Sequence, residues 1–447
     1  VFSLCKNKIL FGAKPNVNLL GERLFTFATA FPNYNLNRYA MQPNGTDTQH
    51  APRTAREDRY QHHDYYLVDD LLSSEHLLAR DAVREWVKSE VSPIIEDYAN
   101  RATCPTQLFK GLAEIGAFGP SLPAEYGCGG MDEIAYGVIM QELERGDSGV
   151  RSMASVQGSL VMYPIYKFGS EEQKRHYLPK LASGELIGCF GLTEPDHGSN
   201  PAGMTTNIKD DGDAYILNGA KMWITNSPVA DIAVVWARDE EGKIRGLIVE
   251  KDMKGFSAPE IHGKWSLRAS ITGELVFEDV RVPKKNVLPA VSSMRGPLTC
   301  LTKARYGIAW GVIGAALDCY DSALRYSKER IQFGRPIGGF QLTQKKLAEM
   351  ITEITKAQLL AWRLGTLANE GKMTPAHVSM AKRNNVMMAL EVAREARQIH
   401  GGMGITNEYP VMRHMMNLET VLTYEGTHDI HLLITGHDVT GLDAFSG

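Results

Sequence analysis

Apolar residues along this 447-residue chain change their spacing twice. From residue 71 to about 186 they recur every three or four positions, the period of a helix with one buried face. The stretch LLSSEHLLARDAVREWVKSEVSPIIEDYA sets Leu77, Leu78, Ala82, Val83 and Val87 on such a face, with Ser73 or Ser74 placed to cap it. Further helices are predicted over 105–115, 132–145 and 171–182. Between 187 and 289 the period shortens to two, as strands require. Residues 215–217 and 221–224 flank Asn218-Gly219 and predict a hairpin, because Asn-Gly accepts the positive φ of a tight turn. A second hairpin is predicted from 232–236 and 244–249 across 239–242, and a closing strand from 274–282.

After Pro297 the helical period returns in longer runs. One helix is predicted over 305–330. Another starts near Gln344, with Leu347, Met350, Ile351, Ile354, Ala361 and Leu364 along one stripe. A third begins at Thr374-Pro375, a good cap followed by a good first residue, and runs to about Ile399. Long helices joined by short loops imply a bundle. The expected class is α+β: a tail over 1–57, a helical domain over 58–186, a β-domain over 187–289 and a helical bundle over 290–447.

Composition narrows the function. Lys and Arg number 48 against 52 Asp and Glu, a net charge of −4, which speaks against a groove for nucleic acid. Nothing approaches the run of apolar residues that a membrane span needs. The six cysteines form no C-x-x-C and are too sparse for a disulfide scaffold, so all six are expected to be reduced and buried, with no metal site. The first forty residues are basic, with Lys6, Lys8, Lys14, Arg23 and Arg38 against Glu22. They fit a transit peptide to the mitochondrial matrix, or sequence upstream of a start at Met41 in a cytoplasmic protein. The second is preferred here. Residues 42–58 are polar and read as disordered. Rossmann, P-loop, zincin and α/β-hydrolase signatures are all missing.

What the chain does carry is a set of loop-forming segments that mix small residues with an aromatic or a charge. They are CFGLTEPDHGS from Cys189, WITNS from Trp223, RIQFG from Arg330, GGMG from Gly401 and TYEGTHDI from Thr423. Such loops let backbone amides approach a ligand closely. Taken in order, they resemble the acyl-CoA dehydrogenase family of flavoproteins, over about 69–445. Within it the chain is most similar to the glutaryl-CoA dehydrogenases, through ERGDSGVRS from Glu144, LRAS from Leu267, ARYGIAWG from Ala304 and the segment 423–430.

The resemblance implies a helical N-terminal domain, a central β-domain and a C-terminal four-helix bundle, assembled as a homotetramer. It also implies FAD, an acyl-CoA substrate and electron-transfer flavoprotein as acceptor. Glu425 matches the base that takes the Cα proton while hydride leaves Cβ, and its burial should raise its pKa. A Tyr-Glu-Gly met by itself is more often just a helix end; the surrounding motifs change that balance. Arg151 matches the residue that holds the distal carboxylate of a dicarboxylic monothioester, a role suited to a two-pronged guanidinium. Glu144 lies seven residues before it and would share a face on a continuous helix. Ser152, Ser155, Tyr424 and Gly426 match neighbours of that carboxylate and of the base, and Ser199 and Arg305 match acyl-CoA contacts. Phe190, Leu192, Thr193, Gly198, Ser199, Trp223, Ile224 and Thr225 match contacts to the isoalloxazine and ribityl region. Trp223 alone could equally be core packing. Arg330, Gln341, Gln398, Gly401 and Gly402 match the pyrophosphate and adenosine end, the first two across a subunit boundary. Thr427, His428, Asp429 and Phe445 complete the cofactor set.

Two departures stand out. Asn200 replaces the Asp common in Gly-Ser-Asp-Pro and could alter substrate handling; Met403 replaces the Asn of Gly-Gly-Asn-Gly and needs only local repacking. Dehydrogenation of glutaryl-CoA with decarboxylation to crotonyl-CoA is the implied reaction. Three alternatives stay open: a dehydrogenase for another short or branched acyl-CoA, an oxidase, and a non-catalytic flavin-binding paralogue.

Overall fold

Ser73 caps the first long helix. Its Oγ accepts from the His76 amide at 3.2 Å, and the Ser73 amide donates back to His76 Nδ1 at 3.1 Å. The structure is a computed structural model describing Tyr60 and residues 62–445. The tail read as disordered or targeting, the compartment that depends on it, and Cys5 all lie outside the described residues. The helices before the sheet are α1 (Ser74–Trp86), α2 (Ile95–Arg101), α3 (Leu108–Glu114), α4 (Glu133–Gly146), α5 (Ser148–Ser155), α6 (Tyr163–Phe168) and α7 (Glu171–Ala182). Asp132 and Ser170 cap α4 and α7, which begin and end within a residue of expectation.

Three details differ from the periodic reading. Leu78 is exposed; the expected Ala82, Val83 and Val87 are buried, and His76 and Ala79 join them on that face. Helix α3 starts at Leu108, because the amides of Leu108 and Phe109 close turns onto Pro105 and Thr106. The pair α5–α6, joined through a wider π turn at Val156–Met162, was not foreseen; every residue from Ile134 to Met162 is buried, which erases the polar face that reveals a helix.

Among the described residues the sheet has seven strands: β1 (Gly188–Gly191), β2 (Asn207–Asp211), β3 (Ala214–Thr225), β4 (Ile232–Arg238), β5 (Ile244–Glu250), β6 (Phe256–Ser257) and β7 (Thr272–Pro283). Strand β4 pairs antiparallel with β5 and parallel with β1, and the sheet continues through β2, β3, β7 and β6. The β4–β5 hairpin is where the alternation placed it. The Asn218-Gly219 hairpin is not: β3 runs straight through these residues as a twelve-residue strand with a register shift between Leu217 and Gly219. A side chain at Gly219 would strike Thr206, so the glycine serves a close approach and a bulge. The real turn is Gly212-Asp213, between β2 and β3.

Strand β4 belongs to two cores. Ile232, Val234 and Trp236 point into the large core shared with both helical domains, whereas Ala233, Val235 and Ala237 pack with Leu217, Leu247, Leu275 and Phe277 on the far face. That is why its sequence is apolar from Ile232 to Ala237.

Behind the sheet come α8 (Arg295–Glu329), the short hairpin β8 (Ile331–Gln332) and β9 (Arg335–Pro336), then α9 (Gln341–Asn369), α10 (Pro375–Ile399), α11 (Val411–Thr423) and α12 (His428–Thr440). The Thr374 capping box and the end of α10 are as expected, and the whole predicted stripe of α9 is buried. Helix α8 starts ten residues earlier than its apolar run, since Pro297 in a first turn gives up no hydrogen bond. The chain thus has helical N- and C-terminal domains about a central mixed sheet. Among the described residues no helix is long and apolar enough to cross a membrane. Cys128, Cys189, Cys300 and Cys319 are free and buried, but Cys104 is only half-buried.

Candidate active site

Helix α11 ends at Thr423 and α12 is capped by Thr427, whose Oγ1 accepts from the Ile430 amide at 3.2 Å. Tyr424, Glu425 and Gly426 make the turn between them. Glu425 has φ of 55°, a left-handed conformation that costs a residue with Cβ about 1–2 kcal/mol. Buried cations hold it there. Arg305 Nε donates to the Glu425 carbonyl at 2.6 Å, and Lys382 Nζ donates to the carbonyls of Tyr424 and Gly426 at 3.0 and 2.9 Å. Glu425 lines the cavity, and its Oε2 is buried with no hydrogen-bond partner among the described residues. Burial therefore raises its pKa; Arg305, Lys382 and Arg151 pull it back in part.

The cavity that Glu425 faces has a volume of about 1150 Å³. At its inner wall Arg151 donates from Nε to Glu144 Oε2 at 2.7 Å and from Nη2 to the Tyr424 hydroxyl. Burial works against the guanidinium charge, but Glu144 and then Tyr424 more than offset it and hold the proton firmly. The condition for a shared face, a continuous helix through Glu144 and Arg151, is not met. Asp147, with φ −168° and ψ 143°, leaves the helix and caps α5, accepting from the Gly149 amide at 2.6 Å. Its other oxygen accepts from Arg413 and Asn417 of α11 at 2.6 and 2.8 Å. One aspartate thus ties the start of the Arg151 helix to the helix that leads into Glu425. Opposite the ion pair, α8 presents Gly311, where a side chain would overlap Glu144 Oε2.

Phe190, Leu192, Thr193, Gly198, Ser199, Ile224, Thr225, Thr427 and Phe445 line the same cavity, as do Ser152, Ser155, Arg305 and Gly426. Trp223 lies on its rim with φ of 63° and is 56% exposed, so it is not core packing. The loop after β1 is pinned from below. Lys221 Nζ donates to Glu194 at 2.8 Å, and Glu194 accepts from the amides of Thr205 and Thr206. Burial would raise the Glu194 pKa, yet Lys221 and these donors bring it down to about 2.

Eight expected site residues fall outside this cavity. Glu144 stands behind Arg151, and His428 and Asp429 sit in the first turn of α12. Arg330, Gln341, Gln398, Gly401 and Gly402 are exposed at the far end of the bundle, where Tyr326 of α8 stacks on His400 at 4.6 Å. A single chain does not bring these five to Glu425. Asn200 is exposed, and Met403 is partly buried at that far end.

Several residues were missed. Lys264, Trp265, Arg295 and Glu419 line the cavity, and Lys382 stands behind its base. Lys382 had a readable signal, a charge on the stripe Val378, Ala381, Asn385, Ala389 that α10 buries. The others lie on loops or helix ends that carry no period.

A cavity this large exceeds the ~300–1,000 Å³ that one small ligand usually takes, and so fits a dinucleotide's reactive end together with an acyl thioester. Residues 73–185, 189–280 and 294–439 match the family models described as the acyl-CoA dehydrogenase N-terminal, middle and C-terminal domains. A crystal structure of glutaryl-CoA dehydrogenase from Mycobacterium smegmatis is similar with TM-score 0.83 and 54% identity, covering 85% of this chain and 97% of that one. A second, of a glutaryl-CoA dehydrogenase from the same organism in complex with FADH2, gives TM-score 0.83 and 49% identity over 85% and 97%. The mitochondrial short-chain specific acyl-CoA dehydrogenase of Rattus norvegicus is 34% identical over 390 residues, 86% of this chain and 94% of that protein.

Proposed function

The chain belongs to the acyl-CoA dehydrogenase family, and from that premise we propose that it oxidises glutaryl-CoA at Cα–Cβ and decarboxylates the product to crotonyl-CoA. The observation that carries this reading is Arg151, a buried guanidinium on the wall of the cavity that Glu425 faces. A neutral acyl chain gives no reason to bury a charge there, whereas a distal carboxylate does.

FAD is the family's cofactor and, when bound, accepts the hydride equivalent. Phe190, Leu192, Thr193, Gly198, Ser199, Trp223, Ile224, Thr225, Thr427 and Phe445 would hold its reactive end. The five far-end residues would belong to its pyrophosphate and adenosine side, completed between subunits of a homotetramer, and His428 and Asp429 would complete the cofactor set. Glu425 takes the Cα proton; a carboxylate stripped of water is a stronger base than one in bulk solvent. Its own backbone amide would polarise the thioester carbonyl. Arg151 receives the distal carboxylate, with Ser152, Ser155 and Tyr424 beside it, and Glu144 keeps the guanidinium oriented. Loss of CO2 from the conjugated product leaves a dienolate that the same carbonyl contacts stabilise, and the protonated Glu425 returns the proton. Ser199 and Arg305 would lie along the acyl-CoA route. Electron-transfer flavoprotein is the proposed electron acceptor.

One observation favours a second reading. Glu144 and Tyr424 already bond to Arg151, which could then serve structure alone while a neutral short-chain acyl-CoA is oxidised. Anaerobic addition of glutaryl-CoA to the yellow holoenzyme separates the two. Flavin bleaching with crotonyl-CoA and CO2 supports the first; bleaching by butyryl-CoA but not glutaryl-CoA supports the second.

A further inference from the structure

We propose that Lys382 is a positioning residue for the base: from behind the cavity it holds the Tyr424–Glu425–Gly426 turn in its left-handed form and keeps a positive charge beside the carboxyl. The proposal rests on Glu425 being the base. Lys382 lies on α10, is 1% exposed and does not line the cavity, so it cannot touch the acyl chain. Its ammonium bonds the two carbonyls that flank Glu425, while Arg305 takes the carbonyl of Glu425 itself. Three successive carbonyls converge on two buried cations. Glutamate is a poor residue for this conformation, which persists only where its surroundings over-determine it. The His431 ring, held by Ser379 at 3.1 Å, sits so close to Gly426 that a methyl there would press on both His431 and Arg305.

The charged and titratable groups facing Lys382 are Glu425, Arg305, Arg151 and His431. Burial brings the Lys382 pKa down to about 7, Glu425 opposing and Arg305 and Arg151 adding to the fall. A lysine poised there still lends Glu425 charge below neutral pH, where the carboxyl must ionise.

The test compares Lys382→Met and Lys382→Gln with wild type and Glu425→Gln as holoenzymes. Lys382→Gln keeps a neutral donor and decides the matter if Lys382→Met does not fold. For both glutaryl-CoA and butyryl-CoA, kcat should fall about 100-fold, as expected for a misplaced catalytic group. KM should stay within about threefold and FAD should be retained, since neither ligand touches Lys382. The acid limb of the kcat profile should move to higher pH, because a carboxyl that loses a neighbouring cation gives up its proton less readily. Wild-type kcat with an unmoved limb would overturn the proposal, and so would loss of FAD and Tm in step with kcat and no movement of the limb. Full turnover in Glu425→Gln would overturn the base reading and this proposal together. An inactive Glu425→Gln beside an unaffected Lys382→Gln would overturn only the role of Lys382.

Discussion

Glu144 and Arg151 meet at 2.7 Å across a break in the helix, because Asp147 turns the chain and α8 offers a glycine where the two side chains need room. The pair is a tertiary contact between α4 and α5. Its geometry therefore depends on what packs against both helices.

Gly311→Ala places a methyl on Glu144 Oε2. Overpacking of this kind costs ~1–3 kcal/mol. Stability should fall by about that amount, and kcat/KM for glutaryl-CoA should fall well beyond that for butyryl-CoA, because Arg151 loses its orientation. Equal losses on the two thioesters would show that the pair has no part in choosing substrate.

Arg151→Ala goes further and leaves Glu144 buried without its cation. Breaking such a pair costs ~3–5 kcal/mol, so a large drop in Tm is expected along with loss of glutaryl-CoA oxidation. Arg151→Met with Glu144→Gln removes both charges and should recover most of the stability but none of the preference for the dicarboxylic substrate. Thermal melts and paired kinetics check both halves.

Asp147→Ala should loosen the join between the Arg151 helix and the Glu425 helix. Arg413 would keep Glu96 at 2.7 Å but lose Asp147, and α5 would lose its cap. A missing cap alone costs ~1 kcal/mol, and the stranded charge adds to it. Hydrogen exchange should quicken in both α5 and α11; faster exchange in α5 alone would refute the linkage.

Glu425 has its pKa raised by burial. In the native state it holds its proton more tightly than in the unfolded chain, so stability is lost as pH rises from the ordinary glutamate value of about 4.3 through the native value. Glu425→Gln should therefore raise Tm at pH 8 and leave it unchanged at pH 4. Activity runs the other way, since the base works ionised: wild-type kcat should climb with pH through the raised pKa, and Glu425→Gln should lose about 10²–10⁴-fold. A Tm that is lower at pH 8 would contradict the burial argument.

Trp223 is exposed on the cavity rim in a conformation unusual for a bulky residue. Such a residue earns its place through a ligand. Trp223→Ala should weaken FAD about tenfold, the loss of ~1.4 kcal/mol, with little change in apoprotein Tm. Released flavin on dilution measures the first and a melt of the apoprotein the second.

By itself the sequence determined which stretches are helix and which are strand wherever one face meets solvent, and it named the caps at Ser73 and Thr374. It also supplied the chemistry, since a Glu in Tyr-Glu-Gly-Thr and an Arg in Gly-Val-Arg-Ser are legible as motifs. These signals act over a few residues. What only the tertiary structure decided acts over hundreds. Asn218-Gly219 is a bulge because Thr206 passes close by, α5–α6 lost its period to burial on every side, and Glu144 reaches Arg151 through a break that Arg413 stabilises. Arg151 and Tyr424 are 273 residues apart and meet where α5 and α11, tied at Asp147, come together. Lys382 lay in plain view as a charge on an apolar stripe, but its partners are backbone carbonyls, and backbone carbonyls leave no mark in a sequence.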